Sequence, residues 1–240
     1  MKKMKRFICN TIFCSLLGLS GHGALAQSYQ VADLALAAGN GFSPAISYSR
    51  LYGKKFKIGA GIRLTSYFGG ATDATTAPAK LTSGKASLAA LFSESIPAQI
   101  DTFRLGSTQT NALNLNLHLQ YSITDKLELG FNIDAIGVTF GGEQSGRFTA
   151  RQSDATGLAN NGATVTAKPT SFNLLLISDS DLGSLNSEIY ARYWFNDHWG
   201  LRAGLSFQFV EYKTSRKLAF DNDRFRSKIL LPMLAVSYKF

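Results

Sequence analysis

Few residues in this 240-residue chain carry the side chains that covalent chemistry needs, and their spacing decides what they can do. His118 is the histidine that falls inside a strand-like pattern. A hydrolytic role would need a nucleophile and an orienting acid beside it. Its same-face neighbours along the chain are Asn116 and Gln120, with no serine among them. The spacing therefore predicts a buried, hydrogen-bonded histidine and no catalytic centre. His198 falls in a turn and is expected in solvent. Asp179-Ser180-Asp181-Leu182-Gly183 matches half of a calcium loop. It lacks the third acidic position and the distant glutamate, so two solvated acids are expected there, with a weak divalent site as the functional alternative. Gly59-Ala60-Gly61 sits in mid-strand and opens no helix, which excludes a phosphate loop. No metal and no cofactor is expected.

The remaining polar signal is ionic, and strands must position it. Thr108–Ile123 alternates most cleanly: Leu113, Leu115, Leu117, Leu119 and Tyr121 on one face, Asn114, Asn116, His118 and Gln120 on the other. Leu127–Phe140 puts Glu128 and Asp134 on its polar face; Leu129, Phe131, Ile133 and Ala135 lie opposite. Ser184–Phe195 puts Glu188 and Arg192 on the polar face, with Leu185 and Ile189 on the apolar one. Trp199–Lys213 contributes Arg202, Lys55–Phe68 contributes Arg63, and Gln30–Ala38 contributes Asp33. Phe42–Leu51 is a weaker strand with a serine-rich inner face. The last strand, Arg224–Phe240, carries Leu230, Leu234, Val236, Tyr238 and Phe240 on one face. Pro232 interrupts it, and a bulge or local break is expected there. These eight strands are joined by tight turns alternating with longer connections, about 69–107, about 141–183 and 214–223. The two long ones read as irregular, with a short helix over Lys85–Phe92 in the first.

The first 26 residues read as a secretory signal. Lys2, Lys3, Lys5 and Arg6 precede an apolar run, and Ala24-Leu25-Ala26 is a cleavage site. Both cysteines lie in this segment, so the 214 residues after it hold neither a disulfide nor a thiolate metal site. Four of the 25 basic residues lie there too. Against 16 acids, that leaves a mild excess of +5. The excess is scattered, which excludes a nucleic-acid partner. Lys80, Lys85, Arg104, Arg147, Arg151 and Lys168 fall in the long connections as solvated charges able to touch anionic sugars or lipid phosphates. Past the signal, no apolar run is long enough for a spanning helix, so a membrane reading requires a closed sheet.

The terminal Tyr238-Lys239-Phe240, ending an alternating strand, resembles the C-terminal signal of bacterial outer-membrane β-barrels. Together with the even strand count and the alternation of short and long connections, it makes the chain similar to the small eight-stranded class that includes the transmembrane domain of outer membrane protein A. The resemblance implies an all-β fold: a closed antiparallel up-and-down transmembrane barrel over residues 27–240, in the outer membrane of a Gram-negative cell. It implies outer-membrane lipid, lipopolysaccharide and the barrel assembly machinery as partners. Aromatic girdles are expected: Tyr121, Tyr193, Phe195, Trp199, Tyr238 and Phe240 at one rim, Phe68, Phe140 and Tyr212 at the other. The leading function is non-enzymatic, structural or loop-mediated, with a plugged lumen, since eight strands enclose a space that side chains fill. The alternatives are an enzyme acting on lipid A or phospholipid acyl chains, and lateral passage of small hydrophobic molecules, suggested by the apolar run Leu174–Ile177.

Turn lengths carry one sharper expectation. With Asn196-Asp197-His198 as a turn, Phe195 faces Trp199 and Arg192 falls directly opposite Arg202, both inward. Two guanidiniums side by side in a narrow interior require carboxylates. Glu128 or Asp33 is expected to answer them, with Arg63, Asp134 and Glu188 higher along the same interior.

Overall fold

The computed structural model describes residues 28–84, 96–152, 154–176 and 180–240. The signal segment, the helix expected over Lys85–Phe92, Asp179 and Ile177 lie outside them. Thirteen strands are found among the described residues: β1 (Ser28–Gly39), β2 (Gly41–Tyr52), β3 (Phe56–Gly69), β4 (Thr72–Thr76), β5 (Thr102–Leu105), β6 (Thr108–Ser122), β7 (Leu127–Phe140), β8 (Gln144–Thr149), β9 (Thr164–Pro169), β10 (Phe172–Leu174), β11 (Asn186–Trp194), β12 (Trp199–Thr214) and β13 (Arg224–Lys239). All belong to one antiparallel sheet.

The long strands close on themselves. The ladder runs β1–β2–β3–β6–β7–β11–β12–β13, and β13 pairs back onto β1 from Val31↔Lys239 to Ala37↔Met233. Every backbone polar group of such a ring has a neighbour on both sides, so the ring has no free edge along its paired length. Burial is inverted relative to a soluble sandwich. Outward Leu34, Leu117, Ile189 and Leu234 are more than half exposed, while inward Asn114, Arg63 and Arg202 are each 1% exposed.

Two irregularities shape the wall. The β6–β7 register shifts between Leu115 and Asn116, which pair with Ile136 and Asp134, so Ala135 is the extra residue of a bulge. Above it the facing is reset: Ile136, Val138 and Phe140 point out and Thr139 is buried. Ala135 is half-buried, where simple alternation expects it outward. At Pro232 no bulge forms against β12, because the register continues through Leu205↔Pro232. Pairing to β1 ends one residue earlier, at Met233, so the missing N–H costs no ladder bond on that side.

The two long connections are not irregular. β4 and β5 form one hairpin, β8 and β9 another, and β5 pairs with β8. β9 then joins the upper end of β12 (Tyr212↔Pro169), and β4 joins that of β13 (Phe225↔Thr76). With Tyr212↔Phe225 paired, these six strands close a second, narrower ring on top of the first. Its inward residues form an apolar core of Phe103, Leu105, Phe148, Tyr212, Leu218 and Phe225, each fully buried. The rings of Phe103 and Phe148 lie 5.3 and 6.0 Å from that of Phe225. A Cβ on Gly146 would sit 2.4 Å from Phe103, so glycine there makes room for that ring. The strands β4, β5, β8 and β9 have four to six residues each, too short for period two to register in the sequence. Tyr212 is therefore buried, with its hydroxyl donating to the Gln109 carbonyl at 3.1 Å, and does not belong to an aromatic rim. Leu185, expected outward and exposed, is also buried.

Replacing Phe225 with Ala removes the aromatic centre of the upper tier, and a fully buried Phe→Ala change costs about 3–5 kcal/mol. Limited proteolysis of F225A should cut within 70–107 or 141–176 well before the parent does, while the lower ring stays intact as a resistant fragment set. Equal cutting of both proteins would show that this core does not hold the tier together.

Candidate functional site

Alternation aims every second side chain of each strand into the lower ring, and most of the ionisable ones meet there. Arg192 and Arg202 are register partners across β11 and β12. Asp33, from β1, one strand beyond β12 across β13, reaches both: its carboxylate is 3.0 Å from Arg192 Nη2 and 3.4 Å from Arg202 Nη1. The Arg202 contact has ion-pair distance without hydrogen-bond alignment, since Nη1 has no hydrogen-bond acceptor. The Ser237 hydroxyl donates to Asp33 and accepts from Arg192 Nε at 3.0 Å. Glu128 lies 3.7 Å from Arg192 Nη1, pairs with Lys57, and accepts from the Trp194 indole at 2.9 Å.

Higher in the ring, Arg63 is held by Asp134 at 2.6 Å and Glu188 at 3.0 Å, and donates to the Asn132 side chain at 2.7 Å. Glu188 also reaches Arg202 Nη2 at 3.2 Å, which joins the two groups into one network. Asp134 accepts from the Asn114 amide at 2.7 Å and the Asn186 backbone N–H at 2.9 Å. The Tyr190 ring stacks against both guanidiniums, 4.5 Å from Arg202 and 5.3 Å from Arg192. A Cβ on Gly130 would lie 2.3 Å from that ring, so the glycine clears its place. Four buried cations, Lys57, Arg63, Arg192 and Arg202, thus meet four buried carboxylates, Asp33, Glu128, Asp134 and Glu188. Burying that many charges is tolerable only when each is paired and hydrogen-bonded.

Seven of the residues singled out by sequence, Asp33, Arg63, Glu128, Asp134, Glu188, Arg192 and Arg202, fall in this network. His118 is buried beside it, opposite Asn132 and Gly59, but its Nε2 has no hydrogen-bond partner. The expectation of a hydrogen-bonded histidine therefore does not hold at Nε2. Its register partner Asn132 instead accepts from Arg63 and donates to Glu188. Lys57, Tyr29, Tyr190 and Trp194 also belong to the network; the same alternation that placed Arg63 inward marks Lys57.

Tyr238 and Phe240 sit at the other extreme, where both described chain ends meet. The Phe240 N–H donates to the Gln30 carbonyl at 3.1 Å. The ring of Tyr238 lies 4.9 Å from Trp199 and 5.0 Å from Phe240, so this rim carries a continuous aromatic cluster. Beside it, a polar vestibule of about 750 Å³ opens between Tyr29, Lys54, Lys57, Glu128, Trp194 and Lys239.

A second ion cluster went unread in the sequence. Glu211 is fully buried and is held by Arg224 at 2.8 Å and Arg226 at 2.7 Å. Both arginines also donate to the Asp181 carbonyl. Asp181 is buried and caps the Leu176 N–H at 2.7 Å, so it is not the solvated acid that the sequence led us to expect. This clamp fastens the segment after β10 to the wall. Among the described residues, no group of His, Cys, Asp and Glu suits a metal ion.

No known sequence family matches the chain, and no curated protein matches it. Solved structures similar to it are small bacterial outer-membrane β-barrel proteins. Neisserial surface protein A has 10% identity and a TM-score of 0.37 over 89% of this chain and 96% of that one. Ail, the attachment invasion locus protein of Yersinia pestis, has 11% identity and a TM-score of 0.38 over 90% and 99%. A major outer membrane protein of Thermus thermophilus has 14% identity and a TM-score of 0.39 over 89% and 100%.

Removing Asp33 takes the nearer carboxylate from Arg192 and one of two from Arg202 inside the packed interior, whereas removing Glu128 leaves Arg192 with Asp33 and unpairs Lys57, which borders the open vestibule. Asp33→Ala should cost about 3–5 kcal/mol, and Glu128→Ala less. Urea unfolding in lipid vesicles measures both, and the reverse order would contradict this account of the network.

Proposed function

We propose that the chain is a non-enzymatic integral outer-membrane protein. In this reading it is an eight-stranded barrel, exported through a signal cleaved after Ala26, with its lumen plugged. Its role is structural or one of interaction through the upper tier. Lipopolysaccharide and membrane lipid surround it, and its C-terminal strand, with Tyr238 and Phe240, is what the barrel assembly machinery reads. The observation that carries the reading is the inversion of burial: an apolar exterior around a ring whose charged interior is neutral and packed. Only a solvent of hydrocarbon makes that arrangement favourable, since leucines left in water and arginines left in a core would both be costly.

The upper tier supports the interaction role. It continues the tube above the apolar belt and presents its own polar outer surface on a packed core. A second reading, lateral passage of small apolar molecules, has one favourable observation: a pocket of about 140 Å³ on the wall between Ile133, Leu175, Leu185, Phe207 and Phe209. The network across the interior favours the plugged reading over it.

The purified protein in planar bilayers should show no steady ion conductance, and lipid A from cells with and without the gene should give identical mass spectra. Stable single-channel steps would sink the plugged barrel, and a changed acyl pattern would favour the enzyme.

A further inference from the structure

We propose that the outer face of the upper tier binds an anionic oligosaccharide, one bearing phosphate or sulfate groups, through Arg104 and Arg147. The proposal rests on the interaction role above and gives it a ligand class. β4, β5, β8 and β9 place Asp73, Arg104, Arg147 and Thr164 in one register row across four strands. Asp73, Arg104, Arg147 and Thr164 are all exposed, while the alternate residues Ala74, Phe103, Phe148 and Val165 face the core. Arg104 and Arg147 are direct partners, and like charges opposite one another destabilise a ladder. The carboxylate in the row, Asp73, stands 3.4 Å from Arg104, and Arg147 has no ion pair among the described residues. The row is thus short of one negative charge.

An oxyanion supplies it. Guanidinium groups on adjacent strands, about 4.8 Å apart at the backbone, can grip one phosphate or sulfate from two sides with paired N–H donors. The neighbouring row carries Thr102 and Thr149, register partners whose hydroxyls suit a sugar ring. The face is also rigid. It is backed by the Phe103, Phe148 and Phe225 core, so binding orders no loop and loses little entropy. Two other cations on the tier already have acid partners: Lys168 has Glu143 at 3.3 Å and Lys213 has Asp223 at 3.4 Å.

The test uses the full protein in lipid nanodiscs without lipopolysaccharide, titrated with a sulfated tetrasaccharide and with its unsulfated parent. The sulfated sugar should bind and the parent should not. R104Q/R147Q should lower affinity at least tenfold and weaken its salt dependence. R104K/R147K should be intermediate, because charge remains and the fork is lost. K168Q/K213Q, on the same tier, should bind as the parent protein does. An unchanged proteolysis pattern checks that the tier stays folded. Wild-type binding by R104Q/R147Q, or equal loss in K168Q/K213Q, would overturn the proposal. In a second arm, nanodiscs carry lipopolysaccharide with or without core phosphates. Protection of Arg104 and Arg147 from arginine-directed labelling by the phosphorylated form alone would assign the ligand to the surrounding lipid, whereas tetrasaccharide binding without it would assign a soluble glycan. Failure of both overturns the site. A closed bilayer trace in that case leaves the plugged barrel standing, and conductance with glycan binding intact removes the plug alone.

Discussion

The structure depends on burying four cations and four carboxylates inside one closed sheet. An unpaired guanidinium in such an interior costs several kcal/mol, so each must find a carboxylate from another strand. Asp33 on β1 answers arginines on β11 and β12, and Asp134 on β7 answers Arg63 on β3. A slip of one residue in any of these strands would turn its charge to the outside and strand its partners. The network therefore enforces register, and closure of the ring is what brings β1 beside β13 in the first place.

Glycine and the bulge follow from the same crowding. Tyr190 can pack against two guanidiniums because Gly130 leaves its side of the wall bare. The extra residue at Ala135 comes directly after Asp134, the residue that anchors Arg63. One added residue there keeps Asp134 inward below and lets Val138 and Phe140 face out above. The wall thus satisfies the ion network and the apolar exterior in a strand where strict alternation would fail one of them.

The two register pairs of arginine show how environment decides an identical local problem. Arg192 and Arg202 face each other inside the ring, and carboxylates with a tyrosine ring absorb the repulsion. Arg104 and Arg147 face each other on the outside of the upper tier, and the one carboxylate in their row, Asp73, stands beside Arg104 on the side away from Arg147. In water that repulsion is small and screened. Below that surface the aromatic core takes the part that ions play in the lower ring. A narrow tier above the apolar belt can be held by Phe103, Phe148 and Phe225, whereas the lower interior is crossed by the ion network.

Period two, read along the chain, already determined the long strands, the apolar face of each outside the upper part of β7, and the pairing of Arg192 with Arg202. Those are local facts: alternation fixes facing and a three-residue turn fixes parity. It could not determine the upper tier. β4, β5, β8 and β9 have four to six residues each, and what makes them strands is the protruding ends of β12 and β13, more than 40 residues away along the chain from most of them. Nor could it assign partners across the interior, place the bulge after Asp134, or leave His118 Nε2 without an acceptor. Each of those depends on which strands become neighbours when the sheet closes, and closure is a property of the whole ring that no single strand encodes.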